Sequence, residues 1–226
     1  QAFPGTFSAE QNKQKYRVTG NPIRREISSI ALPDQRYEHC LKQHEINVLI
    51  LGGSQGAQAL NELLPSVLAS VNQQAHAQGL HLNIWHQSGQ GKDEKTLALY
   101  QSLSVNAKVT AFVNDMDKAY AWAHLIIARS GALTVSEIQQ AGVAAVLVPY
   151  PAATDDHQTK NAQFLEREGA AIVIQQKNLN AESLENILSK LLDANKLKSM
   201  ALAAKKNAPV DATDAVVAVC QELMDA

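Results

Sequence analysis

The chain has 226 residues, 46% hydrophobic and 19% charged, an ordinary globular composition with length for one large domain or two small ones. Its formal net charge of −2, with no basic block and no interleaving of aromatic with basic residues, argues against nucleic acid as a partner. Cys40 and Cys220 lie far apart, the opening does not read as a signal peptide, and no apolar run approaches the roughly 18 residues that span a bilayer, so free thiols in a soluble, cytoplasmic chain are expected.

In chain order, residues 1–25 are polar and irregular and read as a linker, or as the tail of something upstream. Apolar, β-rich runs then recur at 46–51, 82–85, 109–113, 125–128, 144–148 and 170–174. Helical patterns lie between them. Leu60, Leu63, Leu64, Val67, Leu68 and Val71 keep helical spacing, with Pro65 expected to kink or restart that helix. Segments 156–167 and 181–192 also read as helices, and 195–226 as two more, broken at Pro209. This alternation predicts an α/β fold: a Rossmann-like three-layer parallel sheet with helices on both faces. Ligands of such sheets sit at the carboxyl ends of the strands, near a switch in strand order. Trp85, Trp122 and Tyr120 are expected to be packing residues.

Two strand-to-helix turns belong at that edge. Gly52-Gly53-Ser54-Gln55-Gly56 follows the first strand, where glycines let backbone approach a phosphate and Ser54 offers a hydroxyl, although a plain turn reads the same way. It is not the dinucleotide fingerprint, whose first glycine would fall on Leu51, and no Gly-Lys-Ser/Thr follows to make a Walker A loop. Segment 88–92 fails that spacing too and reads as a flexible loop. The stronger signal is Arg129-Ser130-Gly131-Ala132-Leu133-Thr134-Val135-Ser136-Glu137, a turn leading into a helix that stops at Gly142. A helix starting directly after a strand aims unpaired N–H groups and its dipole at the space above the sheet, where an anion is favoured. Glu137, about two turns in, is either a solvated helix residue or an acceptor for a vicinal diol. Phosphates at the helix start with ribose hydroxyls on the glutamate would suit a nucleoside diphosphate.

Asp115 and Asp117 have D-x-D spacing but stand at a predicted helix start, where carboxylates cap backbone donors. The 7 histidines show no paired ligand spacing, so no metal and no other cofactor is expected. His157 and Gln158 open the helix at 156; polar groups there are often caps, yet an amide in that place can read sugar hydroxyls.

GNPIR at 20–24, LGGSQGAQALN at 51–61, IWHQSGQG at 84–91, RSGALTVSEIQQAG at 129–142 and DHQTKNA at 156–162 together resemble the MurG family, from about Ala2 to the C-terminus. That family transfers N-acetylglucosamine from UDP-GlcNAc to the MurNAc 4-hydroxyl of lipid I, with inversion, giving lipid II for peptidoglycan. The resemblance implies the C-terminal, donor-binding half of a GT-B glycosyltransferase. It divides the chain into a remnant of the N-terminal half at 1–25, a UDP-sugar domain at 26–208 and, at 209–226, a helix that contacts the other half. It implies UDP-GlcNAc contacts at Arg24, Ser54, Val113 (through its main chain, after Phe112), Ala132, Leu133, Thr134, Val135, Ser136, Glu137 and Gln158, with Gly53, Gln55, His157 and Asn161 as further candidates. No catalytic residue is expected in this chain. The general base, the lipid I site and the surface resting on the cytoplasmic face of the inner membrane would belong to the missing N-terminal half. Residues 151–154 depart from the family's pattern. Two rival readings remain: a nucleotide-binding module without chemistry, and another UDP-sugar enzyme of this architecture, such as a 2-epimerase.

Overall fold

The computed structural model describes residues 1–3, 16–53, 57–153, 156–206, 208–209 and 211–225. Six strands form one parallel sheet: β1 (Glu45–Leu51), β2 (His81–Gln87), β3 (Ala107–Thr110), β4 (Leu125–Ala128), β5 (Ala144–Leu147) and β6 (Ala171–Val173). Their order across the sheet is β3-β2-β1-β4-β5-β6. Chain direction across the sheet therefore reverses between β1 and β4, whose ladder ends at the pair Leu51 and Ala128. The two turns read from the sequence leave the sheet side by side at that point.

Ten α-helices surround the sheet among the described residues: α1 (Arg25–Ser28), α2 (Pro33–Gln43), α3 (Gln58–Ala77), α4 (Asp93–Ser102), α5 (Met116–Trp122), α6 (Ala132–Ala141), α7 (His157–Arg167), α8 (Ala181–Ser189), α9 (Ala194–Lys206) and α10 (Ala212–Met224). Successive strand residues point to opposite faces. Val48, Ile50, Ile127, Ala144 and Val146 accordingly pack with Leu60, Leu64 and Leu68 of α3, Leu184 and Leu188 of α8 and Met200 of α9. Leu49, Leu51, Ile126, Ala128, Ala145 and Leu147 pack with Ile27 of α1, Tyr120 of α5, Val135 and Ile138 of α6 and Leu165 of α7. A sheet covered on both faces needs unbroken apolar runs, which is why the central strands were readable. Phe3 is buried in the second core, 5.1 Å from the Phe164 ring.

Several elements differ from expectation. Pro65 does not restart a helix: α3 runs through it as one element. The lost N–H is outweighed by the apolar face that Leu60, Leu64, Val67, Leu68 and Val71 bury. β3 covers Ala107–Thr110 rather than 109–113, so Val113 does not end a strand but lies in the loop beyond it. Asp115 occupies the N-cap position of α5 without a side-chain capping bond; its carboxylate instead accepts from Lys118 Nζ at 2.7 Å. α1 and α2 were not anticipated. α10 forms a helix, yet none of its described residues is buried.

Arg36 of α2 links two helices that lead to the switch point. Nη1 donates to the carbonyls of Tyr120 (3.2 Å) and Ala123 (3.4 Å) at the end of α5. Nη2 donates to Ala141 O (2.7 Å) and to Gly142 O at the end of α6. One planar cation thus satisfies carbonyls at two negative helix ends. Arg36→Met should cost about 2–4 kcal/mol, because those partly buried carbonyls lose their donor together. Denaturant titration checks this, and a loss under about 0.5 kcal/mol, the scale of an ordinary surface change, would show that water replaces the guanidinium.

Candidate functional site

The sequence of the β4–α6 turn dictates an open helix end. Gly131 stands at the N-cap of α6 and brings no capping side chain. Val135 N–H closes the first helical bond, to Gly131 O at 3.0 Å. The N–H groups of Ala132, Leu133 and Thr134 precede that bond and have no intrahelical acceptor. Leu133, at this end, is 57% exposed. Val135 has its N–H spent in the helix and its side chain in the core, and serves as scaffold. Ser136 is buried too, and its Oγ has no hydrogen-bond partner among the described residues. It lines a cleft of about 630 Å³ with Asn21, Arg25, Gln139 and Thr213, a lining that does not include Glu137.

Glu137 is half-buried and accepts a 2.9 Å hydrogen bond on Oε2 from the Tyr120 hydroxyl. Burial raises its pKa above the ordinary value, while the Tyr120 hydrogen bond and the Arg24 charge pull it down. Arg24, exposed just before α1, also acts on the buried Tyr120, whose own pKa burial drives far up. Arg24, Tyr120 and Glu137 therefore form one cluster beside the α6 start. The sequence gives Tyr120 only a packing role; its donation to Glu137 joins residues 17 apart in sequence and leaves no local signal.

The neighbouring turn after β1 is held by Gln87. Gly53 N–H donates to Gln87 Oε1 at 3.1 Å, and Gln87 Nε2 donates back to Gly53 O at 3.0 Å and to Ala111 O at 2.9 Å. Gly53 has φ +78°, open to glycine at no steric cost. Ser54 and Gln55 lie outside the described residues. Beneath the turn, Asn61 Nδ2 donates to Ser88 O at 2.8 Å, which turns its Oδ1 toward His86 Nε2 at 3.0 Å. His86 Nε2 is then the protonated nitrogen, and Nδ1, 3.0 Å from the Tyr100 hydroxyl, accepts. Burial holds this imidazole neutral, its pKa lowered to about 3. Val113 is buried, so only its main chain is available to a ligand, while Phe112 stands 61% exposed.

α7 is tied to the same turn. Ser130 Oγ donates to Gln158 O at 2.8 Å, and Asn161 Nδ2 donates to Ser130 O at 3.1 Å. Gln158 Oε1 accepts from Tyr150 N–H at 3.0 Å, leaving Nε2 as its donor end. His157 is exposed beside it. Arg129 fastens the next strand end through Val148 O, Pro149 O and Gln176 Oε1. The structure thus gathers Gly53, Ala132, Leu133, Thr134, Glu137, Gln158 and Arg24 around one sheet edge, with Asn161 mainly structural. Among the described residues no cluster of His, Cys, Asp or Glu would hold a metal ion, and no helix is long and apolar enough to cross a membrane.

The chain is similar in sequence and fold to known proteins. The chain is 45% identical, over 99% of its length, to a protein of Acinetobacter baumannii (strain SDF) named UDP-N-acetylglucosamine--N-acetylmuramyl-(pentapeptide) pyrophosphoryl-undecaprenol N-acetylglucosamine transferase. A protein of that name from Pseudomonas fluorescens is 43% identical over 99% of the chain. The chain spans 59% of the length of each relative. The crystal structure of Acinetobacter baumannii MurG superposes with a TM-score of 0.84 at 42% identity, covering 98% of this chain and 59% of that one. WaaG, a glycosyltransferase of lipopolysaccharide biosynthesis, shares the fold at 18% identity and TM-score 0.62, over 88% of this chain and 54% of its own. The model for the glycosyltransferase family 28 C-terminal domain matches residues 47–216, and the chain belongs to that family.

Proposed function

We propose that this chain is the UDP-GlcNAc-binding half of an inverting glycosyltransferase that converts lipid I to lipid II on the cytoplasmic face of the inner membrane. The observation that carries the reading is the pairing of the uncapped α6 start with Glu137 at the β1/β4 switch point. The N–H groups of Ala132, Leu133 and Thr134, with the helix dipole and Arg24, neutralise the diphosphate. Glu137 accepts the ribose hydroxyls, the Val113 main chain meets the uracil edge, and Gln158 Nε2 reads the sugar. In the reaction the MurNAc 4-hydroxyl oxygen bonds to the anomeric carbon, the bond from that carbon to the diphosphate breaks, and the hydroxyl proton passes to a base outside this chain. Charge grows on the departing UDP, where the helix start stabilises it without a metal.

The division of labour predicts that the isolated chain binds donor and transfers little or nothing. Joined to the N-terminal half of a MurG relative, it should release UDP only when lipid I is present. Turnover by the isolated chain overturns this reading. UDP release without lipid I would favour the epimerase-like alternative, and release in neither form would favour the non-catalytic module.

A further inference from the structure

We propose that Tyr120 is the positioning residue that makes this site select ribonucleotides over 2′-deoxyribonucleotides, by fixing Glu137 as a pure acceptor. The inference rests on the donor-site reading above and adds a residue to it. Tyr120 is fully buried, its ring packed in the core with Leu51, Val113, Ala128 and Val135. Its main chain is pinned as well, through the Arg36 bond to its carbonyl at 3.2 Å. The phenol so placed donates to Glu137 Oε2 at 2.9 Å.

Two consequences follow for Glu137. A free glutamate samples several rotamers, and ordering them on binding costs affinity; the Tyr120 bond orders the side chain beforehand. An ionised carboxylate is also acceptor-only, so the remaining lone pairs, those of Oε1 above all, can be met only by a group that donates. Hydroxyls do so, whereas a phosphate oxygen or a bare CH₂ does not. A site of this kind rejects the analogue that lacks the hydroxyl because its own polar atom is then left unpaired.

The test is calorimetric titration of the chain with UDP and with 2′-deoxy-UDP, on the unaltered protein and on Tyr120→Phe, Glu137→Gln and the double variant. Tyr120→Phe keeps the ring and removes only the hydroxyl. The expected result is a preference for UDP of about tenfold or more in the unaltered chain, the scale of one charged hydrogen bond. Tyr120→Phe should shrink that preference by a factor of about three to ten. Affinity for 2′-deoxy-UDP should stay within about twofold, a pattern that general loosening of the core would not produce. In the Glu137→Gln background, Tyr120→Phe should change the preference no further. If Glu137→Gln abolishes the preference and Tyr120→Phe leaves it intact, the role of Tyr120 is refuted and the donor site stands. If Glu137→Gln leaves the preference intact, or UDP binds neither the chain nor the chain joined to the N-terminal half of a relative, the donor-site reading falls and this proposal with it.

Discussion

Glu137→Ala is expected to weaken UDP-GlcNAc binding by roughly 1.5–3 kcal/mol, about ten- to a hundredfold, the usual scale for hydrogen bonds to a charged group. The same substitution should lower stability. A solvent-facing glutamate would leave the melting temperature unchanged, but this one accepts from the buried Tyr120 hydroxyl, which alanine would strand. An unsatisfied buried donor costs about 1–3 kcal/mol. Glu137→Gln keeps an acceptor for Tyr120 and separates the two effects: binding falls while stability holds. A stability loss with unchanged binding would make Glu137 a structural residue only.

The same carboxylate sets a pH dependence. Burial raises its native pKa above the ordinary value of 4.5. Between 4.5 and the raised value the native state holds more protons than the unfolded one, so this group's contribution to stability is full below that window and is lost as pH rises through it. Diol binding needs the ionised form and runs the other way, so donor affinity should fall as pH drops through the window. Circular dichroism at each pH distinguishes this from unfolding. The buried, neutral His86 contributes to unfolding in acid, because the unfolded chain takes up its proton first.

Gly142→Ala should be the most damaging single-methyl change at the end of α6, costing roughly 2–5 kcal/mol. Gly142 has φ +61° and closes α6 through its N–H bonds to Ile138 O and Gln139 O. Left-handed backbone costs a non-glycine residue about 1–2 kcal/mol. The new Cβ would also lie 2.8 Å from Pro33 Cγ, 3.1 Å from Lys205 Cβ and 3.2 Å from Ala201 O, and such overpacking adds about 1–3 kcal/mol. Gly169 is the control: its φ is +74°, and a Cβ there meets nothing within 4 Å. Gly169→Ala should lose only the conformational cost. For a chain of this length the Gly142 variant should melt on the order of 10 °C lower. Equal losses at the two glycines would mean that α2 and α9 yield around position 142.

The sheet was legible because strands buried on both faces must be apolar without interruption, as in Ile126-Ile127-Ala128 and Ala144-Ala145-Val146-Leu147. β3 was misplaced because apolar character continues through Phe112 and Val113 after the last ladder pair, Gln87 with Thr110. α2 had a readable signal, Pro33 at its first turn and Asp34 beside it, hidden behind a polar composition. The open start of α6 is legible because a strand, a glycine and a helix start follow directly in sequence. The Gln87 hold on Gly53 and the Tyr120 bond to Glu137 were not, since each depends on how separate elements pack rather than on spacing along the chain.

The most direct measurement is calorimetric titration of the chain with UDP-GlcNAc, with UDP, UDP-glucose and NADH for comparison. The account predicts saturable binding of UDP-GlcNAc and UDP and none of NADH, and a preference for UDP-GlcNAc over UDP-glucose would place acetamido recognition in this chain. Binding of NADH as tight as that of UDP, or no UDP binding even after the chain is joined to the N-terminal half of a relative, would contradict it.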